Sequence, residues 1–194
     1  AYYARKIDSP AIAESCLKKA MQCPSDYVFP SHVALLAVLD DAMANSPSDA
    51  CVRYYLGNLL AGLGRMDDAV VRWKESVLIN PSLHIAYRNL AQDAWKRTSS
   101  IQDAEAFYRC AIKACPGEQT HYRDLGTLLA AQGRHADVVE LIAGMPLDRE
   151  MRSDVLLVYI ESNIEDNRPD DAIRLLADAR ISNREGSIQP WILF

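Results

Sequence analysis

The sequence predicts an all-α chain of stacked antiparallel helix pairs, and three observations predict it. Leu56-Gly57-Asn58, Ala69, Trp73, Ser76 and Pro81 return as Leu90-Ala91-Gln92, Ala104, Tyr108, Ala111 and Pro116, 34 residues on at first and 35 later. Leu125-Gly126-Thr127 opens a further copy, 35 residues after Leu90. Inside each copy, apolar residues fall at helical spacing on both sides of a short Gly or polar turn. A period of this length marks a supersecondary unit too small to bury its own apolar face, so neighbouring units must stack.

The elements follow in order. Ala13, Leu17 and Ala20, then Leu35, Leu39 and Ala42 before Pro47, each form an apolar stripe of helical period. Residues 1–48 are therefore read as atypical entry helices. Between the stripes, Cys23 to Pro30 contains two prolines that exclude regular helix, and Ser31 is expected to cap the next one.

Four helix pairs are assigned to 49–180. In the first, Leu59, Leu60 and Leu63 precede a break at Gly64-Arg65, and Ala69, Val70, Trp73 and Val77 follow it. Small Gly57 and Ala69 are expected where the paired helices approach, with Trp73 filling the space beside them. In the second, Tyr87, Leu90, Ala94 and Trp95 lead to Thr98-Ser99-Ser100, a turn that carries the inserted residue. The third turns at Gly133-Arg134 and stops early at Gly144-Met145-Pro146. In the fourth, Leu156, Tyr159 and Ile160 are followed by Asn167, which tolerates the left-handed backbone a turn glycine would adopt. Residues 181–194 lose helical period and end in Trp191-Ile192-Leu193-Phe194, read as a non-helical tail cut from a longer chain.

Composition narrows the function. Hydrophobic residues make up 49% and charged residues 24%, ordinary for a folded chain. The net charge of −5, with no basic run, argues against nucleic acid and anionic lipid as partners. No stretch approaches the roughly 18 apolar residues of a membrane span, and the first six residues lack the apolar segment of a signal peptide. Five cysteines include no C-x-x-C pair, so neither a disulfide framework nor a zinc knuckle is indicated, and a reducing, cytoplasmic location is the simpler expectation. His32, His84, His121 and His135 are isolated in sequence, and no Ser or Cys stands in a nucleophile motif. Asp67-Asp68 and Asp170-Asp171 open second helices, where they favour the positive helix end. No catalytic residue, metal or cofactor is expected.

Leu56-Gly57, Ala69, Trp73 and Pro81 stand at the offsets of the tetratricopeptide repeat, and over residues 50 to 180 the chain resembles that family. It departs at Arg53, where an aromatic is common, and at Ser76, where Ala is usual. A narrower resemblance, through Phe29-Pro30-Ser31, Tyr54 to Asn58, Trp73 to Ser76 and Arg88-Asn89-Leu90, is to the repeat portion of bacterial proteins that carry a large N-terminal β-rich domain of unknown function. The family resemblance implies a right-handed α-α superhelix whose first helices line a concave groove at their positions two, five, nine and twelve.

Counted from Ala50, His84 and Gln119, those positions include Tyr54 and Asn58, then Arg88, Gln92 and Trp95, then Arg123 and Thr127. These seven are the expected partner-binding residues. Arginine forks bind carboxylates through paired hydrogen bonds, and side-chain amides bind peptide backbone. The carboxylate clamp of some family members is incomplete, since Tyr54 stands where Lys is wanted. The competing reading pairs Arg88 and Arg123 with nearby acids such as Asp93 or Asp124, and packs Trp95 between repeats. The function expected is a non-enzymatic scaffold for a protein or peptide segment. The alternative is an accessory or oligomerising module of a larger bacterial carbohydrate-related protein, self-associating or packed on the β-rich domain.

Overall fold

In the computed structural model, residues 1–22, 30–146 and 150–178 are described, and among them every regular element is an α-helix. The chain forms two compact units, Ala1–Asp93 and Ala94–Phe194. The division falls inside the second expected repeat rather than at a linker. The expected tail over 181–194 and the proline-bounded segment 23–29 lie outside the described residues.

The first unit contains α1 (Tyr2–Lys6), α2 (Pro10–Met21), α3 (Leu35–Asn45), α4 (Ala50–Gly62), α5 (Met66–Ile79) and the first turns of α6 (His84–Lys96). Asp49 starts α4 by accepting hydrogen bonds from the backbone N–H groups of Cys51 (2.9 Å) and Val52 (3.3 Å), which satisfies donors that a helix start leaves without partners. Gly64, at φ +77°, reverses the chain into α5. Between the two helices the expected small-against-large contact is present. A Cβ built on Gly57 would lie 2.5 Å from Nε1 of Trp73, and Ala69 and Trp73 are buried.

The entry helices α2 and α3 lie where the apolar stripes placed them, with two differences. Ser31 does not cap α3, which starts four residues later at Leu35 after a turn. The short α1 was not anticipated; it is held to α3 by an Arg5–Asp41 ion pair. Although α3 is one of the more apolar helices, none of its residues is fully buried.

The second unit contains α7 (Ile101–Ala114), α8 (Gln119–Ala130), α9 (His135–Ala143), α10 (Ser153–Glu165) and α11 (Pro169–Asp178). Leu125, Leu128, Leu129, Val138, Ile142 and Val155 form its interior. The α9 helix is the shortest of these five and ends at Gly144, as Pro146 requires. Ser99, Gly133 and Asn167 adopt positive φ, at 54°, 71° and 57°, in the turns before α7, α9 and α11. With Gly64 they mark the same place in each pair. The side chain of wholly buried Gln119 ties α8 to the approach of α10: its amide donates to the Glu150 carbonyl (3.1 Å), and its carbonyl accepts from the Arg152 backbone N–H (2.7 Å).

Candidate functional site: the exposed face of the first helices

Helices α4, α6 and α8 begin at Ala50, His84 and Gln119, the residues from which the groove positions were counted, so each expected residue can be placed. In the first unit Tyr54 is wholly buried, with its ring 5.6 Å from that of Tyr55. It belongs to the core and offers no surface to a partner. Asn58 is half-buried, and its carbonyl oxygen is already used. It accepts from the indole N–H of Trp73 (3.0 Å) and from the side-chain amide of Asn89 (3.0 Å), drawing α4, α5 and α6 together. Arg88 and Gln92 are half-buried on α6.

In the second unit Trp95 is half-buried near the end of α6, Arg123 is half-buried on α8, and Thr127 is exposed one turn further along α8. The expected alternative for Arg123 is what the structure contains. Its Nε and one terminal nitrogen donate to Asp124 (2.9 and 2.6 Å), and the other donates to Asp154 at the start of α10 (2.6 Å). Thr127 donates its hydroxyl to the Arg123 carbonyl (2.8 Å), a common local bond for a helical Thr.

Arg152, which the sequence reading missed, completes this network. It forks onto Asp154 with two nitrogens (3.0 and 2.9 Å) and reaches the Thr120 hydroxyl with the third (3.3 Å). Nothing in the sequence flagged it, because it precedes α10 and owes its place to Gln119. Burial pushes the Asp154 carboxyl up, but hydrogen bonds from Arg152 and Arg123 outweigh this and hold it below the usual carboxylate range. For Arg123, burial works against the charge and the pairs with Asp124 and Asp154 outweigh it, so its proton is held more tightly than usual.

The second helices have their own bridge. Arg134 reaches Glu105 (2.6 Å) and Asp137 (2.6 Å), linking α9 to α7. The Arg134 hydrogen bond lowers the Glu105 carboxyl; burial opposes it, and Arg109 adds to it. A separate concavity of about 520 Å³ opens in the first unit between α3 and α5, with Asp40, Met43, Arg72 and Leu78 among its lining. Arg53, which departed from the repeat pattern, also lines it and sits 3.5 Å from Glu75. Among the described residues no His, Cys, Asp and Glu side chains converge as metal ligands, and no helix is long and apolar enough to cross a membrane.

The class that these observations define is an all-α protein with the fold of tetratricopeptide-repeat chains. Solved structures carry the same fold at low sequence identity. YrrB, described as a TPR protein with an unusual peptide-binding site, matches with a TM-score of 0.60 and 15% identity over 72% of this chain and 71% of its own. MamA matches with a TM-score of 0.59 and 16% identity, covering 73% of this chain and 77% of that one. PilF of Pseudomonas aeruginosa does so with a TM-score of 0.59 and 16% identity, over 90% and 84%. No family model and no curated protein matches the sequence.

Proposed function

We propose that this chain is a non-enzymatic interaction scaffold that takes up a peptide or protein segment on the exposed face of first helices within a unit, above all that of α8 and α10. The observation that carries the reading is the α8–α10 face. Two successive first helices are fixed side by side by the Arg123–Asp154 bond, with exposed Thr127 beside it. A face held rigid before binding loses little conformational freedom when a segment docks, which leaves more of the contact energy as affinity. The peptide-binding site described for YrrB, whose fold this chain shares, is consistent with such a use. With Tyr54 in the core and the Asn58 carbonyl engaged, the contact residues proposed are Arg88 and Gln92 on the first unit and, separately, Trp95, Arg123 and Thr127 on the second.

Reversing Arg123 to Glu would set a third carboxylate beside Asp124 and Asp154, so that variant tests stability rather than binding. Exposed Thr127 is the better probe. A displayed library of random peptides, panned against the chain, is expected to enrich binders that a Thr127→Arg variant of unchanged helicity no longer holds. Enrichment only of clones indifferent to that substitution would overturn the assignment.

A further inference from the structure

Resting on the scaffold reading, we infer that the α10 end of this face selects segments carrying Lys or Arg beside an apolar side chain, and not a carboxylate-terminated tail. Counting from Ser153 as the other first helices were counted, positions two, five, nine and twelve of α10 are Asp154, Leu157, Glu161 and Ile164. Glu165 follows one turn after Glu161 and shares its side of the helix. Leu157 is half-buried, Ile164 is 37% exposed, and Glu161 and Glu165 are exposed.

The cations near this stripe are already committed. Three Arg123 nitrogens are held by Asp124 and Asp154, and the Arg152 guanidinium is held by Asp154 and Thr120. An incoming carboxylate would have to displace carboxylates that are fixed in place, which offers it little net gain. Glu161 and Glu165, by contrast, have no ion-pair partner among the described residues, and α10 contains no Lys or Arg to supply one. Among the described residues, then, the face presents two uncompensated negative charges around an apolar patch of Leu157 and Ile164. Its electrostatic complement is a basic segment with an aliphatic anchor; an acidic one is repelled.

Two short fluorescein-labelled peptides decide it, identical in leucine and alanine content. One has Lys and an amidated end; the other has Glu at the same positions and a free C-terminal carboxylate. Fluorescence anisotropy with the full chain at physiological ionic strength should show the Lys peptide binding about tenfold tighter or more. That preference should vanish in E161K/E165K and survive, to within about twofold, in E140K, which makes the same kind of charge change at an exposed position of α9. Should the double reversal fail to fold by circular dichroism, Glu161→Gln with Glu165→Gln replaces it and should weaken the Lys peptide in the same direction. Equal or tighter binding of the Glu peptide, or equal losses in E140K and the α10 variant, overturns the inference and leaves the scaffold reading standing. If neither peptide binds and panning also yields nothing, the scaffold reading itself falls.

Discussion

Gly57 and Gly62 sit in the same helix and respond oppositely to one added methyl. At Gly57 a Cβ meets the Trp73 ring at 2.5 Å, and that ring is held by the bond from its N–H to Asn58. At Gly62 a Cβ meets nothing within 4 Å. Alanine brings a helix-propensity gain of about 1 kcal/mol at either place, but overpacking at Gly57 costs about 1–3 kcal/mol. Gly57→Ala should therefore lower the melting temperature by several degrees, and Gly62→Ala should leave it unchanged or raise it slightly. A thermal melt of the two variants checks both signs, and matching shifts would contradict the close contact between α4 and α5.

The sequence also exposes what it could and could not carry at this scale. Gly57, Trp73 and the left-handed turn positions Gly64, Gly133 and Asn167 were legible, because steric demands restrict residue type there. Tyr54 was misplaced, since helical spacing alone does not separate a side chain on the exposed face from one turned into the core. The Gln119 bonds were invisible: they join side chain to main chain across more than thirty residues, and a main-chain partner leaves no mark on residue type; Arg152 was missed with them, because that joint brings it to Thr120.

At the scale of elements, ion pairs link alternate helices: α8 to α10 through Arg123 and Asp154, α7 to α9 through Arg134 and Glu105. Both carboxyls are held below their usual values in the fold. A carboxyl depressed by folding contributes stability that is complete above its unfolded value, about 4. That stability is lost as the pH falls through the lower folded value. Urea unfolding of the second unit should thus weaken as the pH is lowered below about 4, and Asp154→Asn should flatten that acid limb while costing stability near neutrality. An acid limb unchanged in Asp154→Asn would remove Asp154 from the account. Helix boundaries were the most legible feature here. Ala50, His84 and Gln119 mark the helix starts because the repeat period, a turn and a proline or glycine all agree. The entry to α3 was not, since Ser31 had the chemistry of a cap but the chain turned once more before the helix began.

Across the whole molecule, burial is uneven, and resistance to opening should follow it. Helices α4 and α8 hold several buried residues each, including Leu56 and Leu59 in one and Leu125, Leu128 and Leu129 in the other. The α3 helix holds none. Native-state hydrogen exchange is expected to find the slowest amides in α4 and α8 and much faster ones in α1 and α3. Protection of α3 equal to that of α4 would show cover on α3 beyond what these contacts provide. The all-helical class was legible from the period alone, whereas the division at Asp93 and Ala94 was not, because it depends on which contacts a continuous helix makes along its length.

The grip of Gln119 on the carbonyl of Glu150 and the N–H of Arg152 has a consequence for redesign. A fastening made to peptide groups does not specify the side chains there, apart from a proline at 152, which would lack the N–H. The α10–α11 pair could thus be exchanged for one of different surface chemistry while this fastening and the Arg123–Asp154 bond are retained, so that part of the second unit lends itself to being refitted for a new target as a cassette.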